Sequence, residues 1–155
     1  MKSTPNCKIN LGLRVLRKRA DGYHDLATVF LPVPMYDELE IVESAHFEML
    51  QTGIIVDCPP DDNICAKAWR LLKSACPQLP AVRIHLHKNI PFGAGLGGGS
   101  SDAAFTLKML NEMFSLGLSR AELKAFAARL GADCAFFIDN VPAYATGIGD
   151  HLEPL

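Results

Sequence analysis

The sequence has no excess of basic residues, which argues against two common classes of binding protein. Its 15 Lys and Arg residues are balanced by 17 Asp and Glu residues, for a formal net charge of -2. Proteins that bind nucleic acid or a membrane surface through their overall charge usually carry a basic excess. We therefore expect no nucleic-acid partner and no membrane partner. A small anion held by backbone groups is compatible with this balance.

A long apolar segment and a regular cysteine pattern are also missing. No apolar run approaches the ~20 residues of a membrane span, and the opening "MKSTPNCKIN" lacks the apolar stretch of a signal peptide. The five cysteines are scattered and include no C-x-x-C pair, a spacing that argues against disulfides and zinc. We expect reduced thiols in a soluble, cytoplasmic protein.

Apolar residues are abundant, and their spacing predicts a single α+β domain. They make up 49% of the 155 residues, which is enough for one buried core. Helical spacing predicts a first helix capped by Asp62 or Asn63, a second from near Ser100, and a third after Ser119, where Glu122 completes a capping box. Alternating apolar residues or short apolar runs predict strands in "CKINLGLRVL", "DLATVFLPV", "DELEIVES", parts of 46–57, "AVRIHLHK", "CAFFI" and "AYATGI".

These elements predict a two-layer fold, with a mostly antiparallel sheet and helices on one face. The segment 46–57 is expected to pair in the antiparallel direction like its neighbours. In the first strand, one half-buried side is predicted to carry Ile9, Leu11, Leu13 and Val15.

The stretch "PFGAGLGGGSS", residues 91–101, lies between a predicted strand and a predicted helix and contains five glycines. Glycine loses the most backbone entropy on folding, so this density needs a reason. The free N–H groups of a helix start and the positive end of its dipole both attract anions. Glycines let a ligand touch the backbone, and the hydroxyls of Ser100 and Ser101 can bond phosphate oxygens or a metal-bound water. The loop therefore predicts a phosphate site.

Three familiar types of phosphate loop fit this stretch poorly. Gly93, Gly95 and Gly98 satisfy the G-x-G-x-x-G pattern of dinucleotide and protein-kinase loops, but a lone match is weak. The dinucleotide fold also needs a parallel β-α-β unit, whereas the strands before the loop are predicted to be antiparallel. A Walker A loop has lysine where this chain has Gly99. The positive charge must then come from elsewhere in the chain.

The stretch "PFGAGLGGGSSDAA" resembles the phosphate-binding motif of the GHMP kinases, the kinases of galactose, homoserine, mevalonate and phosphomevalonate. The resemblance runs nearly end to end through "KINLGL", "RADGYHDL", "PMYDELEI", "DDNICAKAWRLL" and "LGADCAFF", in that order. "DGYH" after "KINL" is similar to the members that phosphorylate a cytidine-diphosphate-linked alcohol in non-mevalonate isoprenoid precursor biosynthesis.

The resemblance implies a catalytic pair and a substrate site. The lysine of "KIN" and the aspartate of "GAD" correspond to Lys8 and Asp133, with Asp133 as the general base and Lys8 as its partner. Substrate contacts are implied for Asn10, Tyr23 and His24, with the tyrosine ring stacking on cytosine. From the residues alone, Lys8 also fits a strand-edge charge, Asp133 a solvated loop residue and His24 an exposed turn.

The resemblance also implies ATP and Mg²⁺ as cofactors. Asn63 is expected on the adenine side, although it also fits a helix cap, and Mg²⁺ is expected near Ser100. No acidic metal ligand is identifiable, so we expect phosphates and water to hold the metal. The remaining ATP contacts are expected from the loop residues Pro91, Phe92, Gly93, Ala94, Gly95, Leu96, Gly97, Gly98, Gly99, Ser100 and Ser101.

Family members continue through a second domain of comparable size. We therefore expect residues 1–155 to be the N-terminal, ATP-binding domain, with the fold of ribosomal protein S5 domain 2 and a C-terminal domain outside them. Little or no activity is expected from these residues alone, because the second domain supplies part of the substrate walls. Two other functions stay open: another small-molecule kinase of the family, of mevalonate or homoserine type, and a non-catalytic S5-like binding module.

Overall fold

The computed structural model describes all of residues 1–155, which form two four-stranded sheets and four α-helices. The strands are β1 (Lys2–Ser3), β2 (Asn6–Lys18), β3 (His24–Tyr36), β4 (Glu38–Glu43), β5 (Glu48–Gly53), β6 (Val82–Lys88), β7 (Ala143–Thr146) and β8 (His151–Pro154). The helices are α1 (Ile64–Ala75), α2 (Gly98–Met113), α3 (Arg120–Leu130) and α4 (Phe136–Asp139). No helix has the length and apolar character needed to cross a membrane.

The first sheet has the strand order β1-β4-β6-β5. Its inner face is apolar because alternate residues of β6, namely Val82, Ile84 and Leu86, point towards the helices. Strand β5 pairs with β6 in the parallel direction, so the antiparallel pairing predicted for 46–57 is wrong. The reason is that α1 lies between these strands in the chain, and a helical crossover returns the second strand in the same direction.

The second sheet has the order β2-β3-β7-β8, and its long β2–β3 hairpin carries a bulge. The pairing register shifts between Leu11 and Arg14, where Gly12 has a φ of +65°. At and beyond the bulge, Leu11, Leu13 and Val15 are exposed by 47%, 54% and 63%, so their predicted burial is wrong. Strand β7 pairs only with 28–30 of β3, so this sheet does not continue alongside the outer part of the hairpin.

Two helices begin at residues that the sequence offers as caps, with Asn63 and not Asp62 capping α1. The Asn63 side chain accepts a hydrogen bond from the Cys65 N–H at 2.8 Å, and Ser119 and Glu122 bond each other's backbone N–H groups. Local chemistry thus determines where α1 and α3 start.

The strand predicted for "CAFFI" is wrong, because this segment contains α4. Its residues Phe136, Phe137 and Ile138 are consecutive and all buried. When every residue of a short apolar run is buried, the sequence shows no alternation of apolar and polar residues. A strand and a helical turn then have the same sequence pattern. Phe136 packs edge-on against Phe30 of β3, with 5.2 Å between the ring centroids. This contact joins α4 to the second sheet.

The α+β class is confirmed, since five of the six strand pairings are antiparallel and the helices share one core with both sheets. That core is a cluster of 26 buried residues. It includes Leu72 of α1, Leu107 of α2 and Ala127 of α3. The core therefore holds the start of α2 and the end of β6 against one another.

Gly53 offers a test of the parallel β5–β6 pairing. It has a φ of +80°, and a Cβ on it would overlap the backbone oxygen of Lys88, whereas Gly117, with a φ of +74°, has open space around it. We expect Gly117→Ala to cost about 1–2 kcal/mol from backbone strain alone. Gly53→Ala should cost roughly 1–3 kcal/mol more because the strands must separate. Equal losses of unfolding free energy in urea would contradict this close approach.

Candidate active site

The glycine loop, residues 91–101, runs from β6 into α2 with an alternating backbone conformation. Gly93, Gly95 and Gly97 have φ values of +71°, +76° and +68°, while Ala94 and Leu96 between them are not in the positive region. Alternation of left- and right-handed residues turns successive N–H groups to one side and forms an anion-binding concavity. Only residues without a Cβ adopt this conformation cheaply at every second position. The backbone itself therefore fits an anion such as phosphate.

The N–H groups of this loop have no protein acceptors. None of residues 92–100 donates a backbone hydrogen bond within the chain, whereas the next N–H, of Ser101, donates to the Gly97 oxygen at 2.9 Å. The N–H groups at the start of α2 belong to this unpaired set and add the positive end of the helix dipole. The loop thus directs several unsatisfied donors and a partial positive charge to one place.

A cavity of about 860 Å³ lies along the loop. Its other walls come from the chain after β5, the first turn of α1, the end of β6 and the end of α3. The wall residues outside the loop include Ile54, Ile55, Val56, Asn63, Ile64, Lys67, Lys88 and Leu130. A mixed apolar and polar cavity of this size accommodates a nucleotide.

The two serines at the end of the loop differ in their surroundings. Ser100 lines the cavity. Burial raises the pKa of the nearby Cys134 thiol to about 11. Ser101 is fully buried, does not line the cavity, and its hydroxyl has no partner. Of the two hydroxyls expected to contact phosphate, the structure thus places only that of Ser100 at the cavity.

Asn63 and the implied substrate residues lie in two different places. Asn63 caps α1 as predicted and also lines the cavity, while its place on the adenine side stays a prediction. Tyr23 and His24 are exposed at the tip of the β2–β3 hairpin, where His24 pairs with Lys18. The structure does not bring these two residues to the cavity.

Lys8 and Asp133 meet beside the loop, although the sequence separates them widely. The Lys8 Nζ lies 3.3 Å from Asp133 Oδ2. The same ammonium donates to Asn10 Oδ1 at 2.5 Å and lies 4.6 Å from the centre of the Phe30 ring. The Lys8 side chain is 5% exposed and that of Asp133 is 30% exposed. A partly open carboxylate paired with a buried ammonium can accept a proton from an incoming hydroxyl group.

The backbone of β2 ties this pair to the glycine loop. The Lys8 N–H donates to the Leu96 oxygen at 2.9 Å. A Cβ on Gly97 would be 3.1 Å from both the Lys8 Cε and the Phe137 ring. Glycine at this position is therefore needed both for its positive φ and for the close approach of Lys8.

A second group of charged residues beneath the loop was not predicted. The Lys88 Nζ donates to Asp37 Oδ2 at 2.6 Å and to Asp102 Oδ2 at 2.9 Å, and all three residues are at most 2% exposed. Burial lowers the pKa of Lys88, but attraction to Asp102 and Asp37 raises it overall.

The sequence did contain a signal for one of these residues. Lys88 continues the buried alternation of Val82, Ile84 and Leu86 along β6, so it occupies an apolar position. A lysine there requires a buried partner. Nothing in the local sequence marked Asp37 or Asp102 as that partner.

No cluster of three or more His, Cys, Asp or Glu side chains is arranged to hold a metal ion. Ser100 is the one serine that lines the cavity.

Comparison with protein families gives a match to "GHMP kinases N terminal domain" over residues 63–147. A protein of Azobacteroides pseudotrichonymphae named 4-diphosphocytidyl-2-C-methyl-D-erythritol kinase is 51% identical over the whole chain, which covers 58% of that protein. A Parabacteroides distasonis protein of the same name is 53% identical over 97% of the chain and 55% of its own length. The chain thus spans little more than half the length of these relatives.

Solved structures agree with these sequence matches. A crystal structure of 4-(cytidine 5'-diphospho)-2C-methyl-D-erythritol kinase superposes with a TM-score of 0.85 and 39% identity, covering all of this chain and 55% of the other. A crystal structure of mevalonate kinase gives a TM-score of 0.75 at 12% identity, again over the whole chain and 56% of the other. The second similarity concerns the fold alone.

The buried charges predict a pH dependence of stability. Burial raises the pKa of Asp102 well above its usual 3.8, and Asp37 adds to the rise while Lys88 opposes it. Because the pKa is higher in the folded state, the contribution of Asp102 is most favourable below the unfolded-state pKa and is lost as the pH rises through the folded-state pKa. The advantage of Asp102→Asn over the wild type should therefore grow from about pH 4 upward. Urea unfolding across this range tests it, and two parallel stability curves would contradict it.

Proposed function

Because the chain belongs to the GHMP kinase family, we propose that it forms the ATP-binding half of a kinase for 4-diphosphocytidyl-2-C-methyl-D-erythritol. The proposed reaction is ATP-dependent phosphorylation of the 2-hydroxyl of that alcohol, in non-mevalonate isoprenoid precursor biosynthesis. The observation that carries the proposal is the Lys8–Asp133 ion pair held beside a glycine loop whose N–H groups have no protein acceptors. The relatives that share about half of their residues with this chain support the choice of substrate.

The loop is proposed to bind the phosphates of ATP. The N–H groups of residues 92–100 have no competing acceptors in the chain, and the positive φ values of the alternate glycines direct them to one side. The adenine would lie further along the cavity, where Asn63 and apolar side chains form the wall. Mg²⁺ would neutralise phosphate charge, with the Ser100 hydroxyl as the group able to contact it or its water.

Asp133 and Lys8 are proposed as the catalytic pair. Phosphoryl transfer to an alcohol requires alignment, charge neutralisation and an acceptor for the hydroxyl proton. Asp133 is the accessible member of the pair and is the proposed acceptor, while the buried Lys8 orients the hydroxyl and stabilises charge in the transition state. Asn10, which already accepts from Lys8, is proposed to contact the substrate next to it.

Tyr23 and His24 are proposed to bind the cytosine. The Tyr23 ring is 59% exposed and has a free face on which a base can stack. His24 is the first residue of β3 and can hydrogen-bond a base edge. The exposure of the hairpin tip means that the remaining walls of this subsite come from elsewhere, and a C-terminal domain is the proposed source. The proposed location is the cytoplasm, which agrees with five free cysteines.

Substitution of the catalytic pair should separate binding from chemistry. In a polypeptide extended through the second domain, we expect Asp133→Asn to lower kcat by about 10²–10⁴-fold, because the proton acceptor is lost. Lys8→Met should lower kcat by about 10²–10³-fold through loss of transition-state stabilisation. ATP affinity, measured by calorimetry, should stay nearly unchanged in both.

Asp139→Asn is the matched control, because Asp139 pairs with Arg120 and Lys124 away from the cavity. Residues 1–155 alone, in the same assay, should show little turnover. Wild-type activity in Asp133→Asn would exclude Asp133 as the base, and full activity of residues 1–155 would exclude a need for the second domain.

Substitution of His24 tests the cytidine assignment. His24→Ala should raise the KM for the cytidine substrate about tenfold, the change expected from the loss of one hydrogen bond. The KM for ATP should stay unchanged. His46→Ala removes another exposed histidine and should change neither constant. Equal effects of His24→Ala on both substrates would favour a different kinase of the family, since a mevalonate- or homoserine-type site has no cytosine to bind.

A further inference from the structure

Asp37, Lys88 and Asp102 form a buried cluster that touches both ends of the glycine loop. Lys88 is the last residue of β6, just before the loop, and Asp102 lies near the start of α2, just after it. The Lys88 ammonium bonds both carboxylates, at 2.6 Å and 2.9 Å. Asp37 Oδ1 also accepts the N–H groups of Asn89 and Ile90 at 2.7 Å and 2.8 Å. The buried cluster thus contacts both the backbone that leads into the loop and the helix that follows it.

We propose that Asp102 is a positioning residue for nucleotide binding: by anchoring the start of α2 to Lys88, it holds the loop in the conformation that presents its N–H groups to phosphate. The nucleotide part of this inference rests on the proposed function. Asp102 lines the floor of the cavity and its Oδ1 has no partner, so it is part of the site although it is 1% exposed. Its role is to act through Lys88 rather than to touch the ligand.

The packing at Gly98 shows how directly the cluster bears on the loop. A Cβ on Gly98 would be 2.9 Å from the Ile90 Cγ2 and 3.2 Å from the Lys88 Nζ. The first residue of α2 therefore rests against the ammonium itself. A glycine-rich segment has high backbone entropy when it is free, so fixing both of its ends strongly limits the conformations it can adopt.

Electrostatics alone makes the opposite prediction for Asp102. The cluster contains two carboxylates and one ammonium, which leaves one excess negative charge below an anion site when all three are ionised. If Asp102 acted only through its charge, removing it would strengthen phosphate binding, because like charges repel. If Asp102 positions the loop, removing it weakens binding. The sign of the change therefore separates the two roles.

Asp102→Ala is the decisive variant, because it leaves Lys88 and Asp37 as a balanced buried pair and so preserves the fold better than loss of Lys88. Asp102→Asn keeps an acceptor for Lys88 while removing the charge. We expect Asp102→Ala to raise the Kd for Mg·ATP about tenfold, and Asp102→Asn to restore affinity to within about threefold of wild type. Asp139→Ala, which removes an ion-paired carboxylate far from the loop in sequence, is the matched control.

Hydrogen exchange reports the loop conformation without any nucleotide. The Lys8 N–H is bonded to the Leu96 oxygen of the loop, and the Ser101 N–H to the Gly97 oxygen. Both amides should exchange about tenfold faster in Asp102→Ala than in the wild type or Asp102→Asn. The amide of Leu123, bonded to the Ser119 oxygen in α3, should exchange at the same rate in all variants.

The outcomes distinguish this inference from the proposed function. Unchanged exchange in Asp102→Ala, or tighter Mg·ATP binding in both Asp102 variants, would overturn the positioning role. If the wild type fails to bind Mg·ATP while the two amides still respond to Asp102→Ala, the loop anchor stands and the proposed nucleotide site is wrong. Failure of Asp102→Asn to restore slow exchange would also overturn the inference, since the hydrogen bond to Lys88 is its basis.

Discussion

The constraint on which this structure depends is that the backbone N–H groups of residues 92–100 have no acceptors in the chain. An unpaired backbone group removed from water costs about as much as a lost hydrogen bond, so such a run persists only along a cavity that water or an anion can fill. The positive φ values of Gly93, Gly95 and Gly97 recur at every second residue, a pattern typical of an anion-binding concavity. The elements around the loop hold it in this conformation.

Two lysines hold the loop from different sides, and the exposure of their carboxylate partners separates their roles. Lys88 lies beneath the loop with two carboxylates that are equally buried, so its interactions are confined to the interior. Lys8 is also buried, but its partner Asp133 is 30% exposed and open to a second reactant. A buried network suits a positioning role because its geometry is not shared with solvent, whereas proton transfer requires an accessible group.

The proposed substrate contacts follow the length of the β2–β3 hairpin. Lys8 lies opposite Pro32, at the end of the hairpin that packs on the core, and His24 lies opposite Lys18 at the exposed end. A ligand that touches both must be extended along β2, as a nucleotide-linked alcohol is. The bulge at Gly12 separates the two halves of the strand, because the register shifts there.

Features that depend on a few neighbouring residues could be predicted from the sequence. Asn63 and Ser119 mark helix starts because a cap requires only an oxygen near the first N–H groups. The glycine loop predicts an anion site because positive φ and a helix start are local properties. The resemblance carried by "KIN" and "GAD" added the pairing of Lys8 with Asp133, which no local rule contains.

Which side chains are buried and which segments meet depends on packing between elements that are distant in the chain. Leu13 and Val15 alternate like buried residues but are exposed, because β7 pairs with β3 only nearer the core. Phe136 and Phe137 form a helical turn rather than a strand, because neighbours on all sides bury them. Lys88 and Asp102 are partners because α2 packs against the end of β6. Burial and pairing depend on elements distant in sequence, so the local pattern does not contain them.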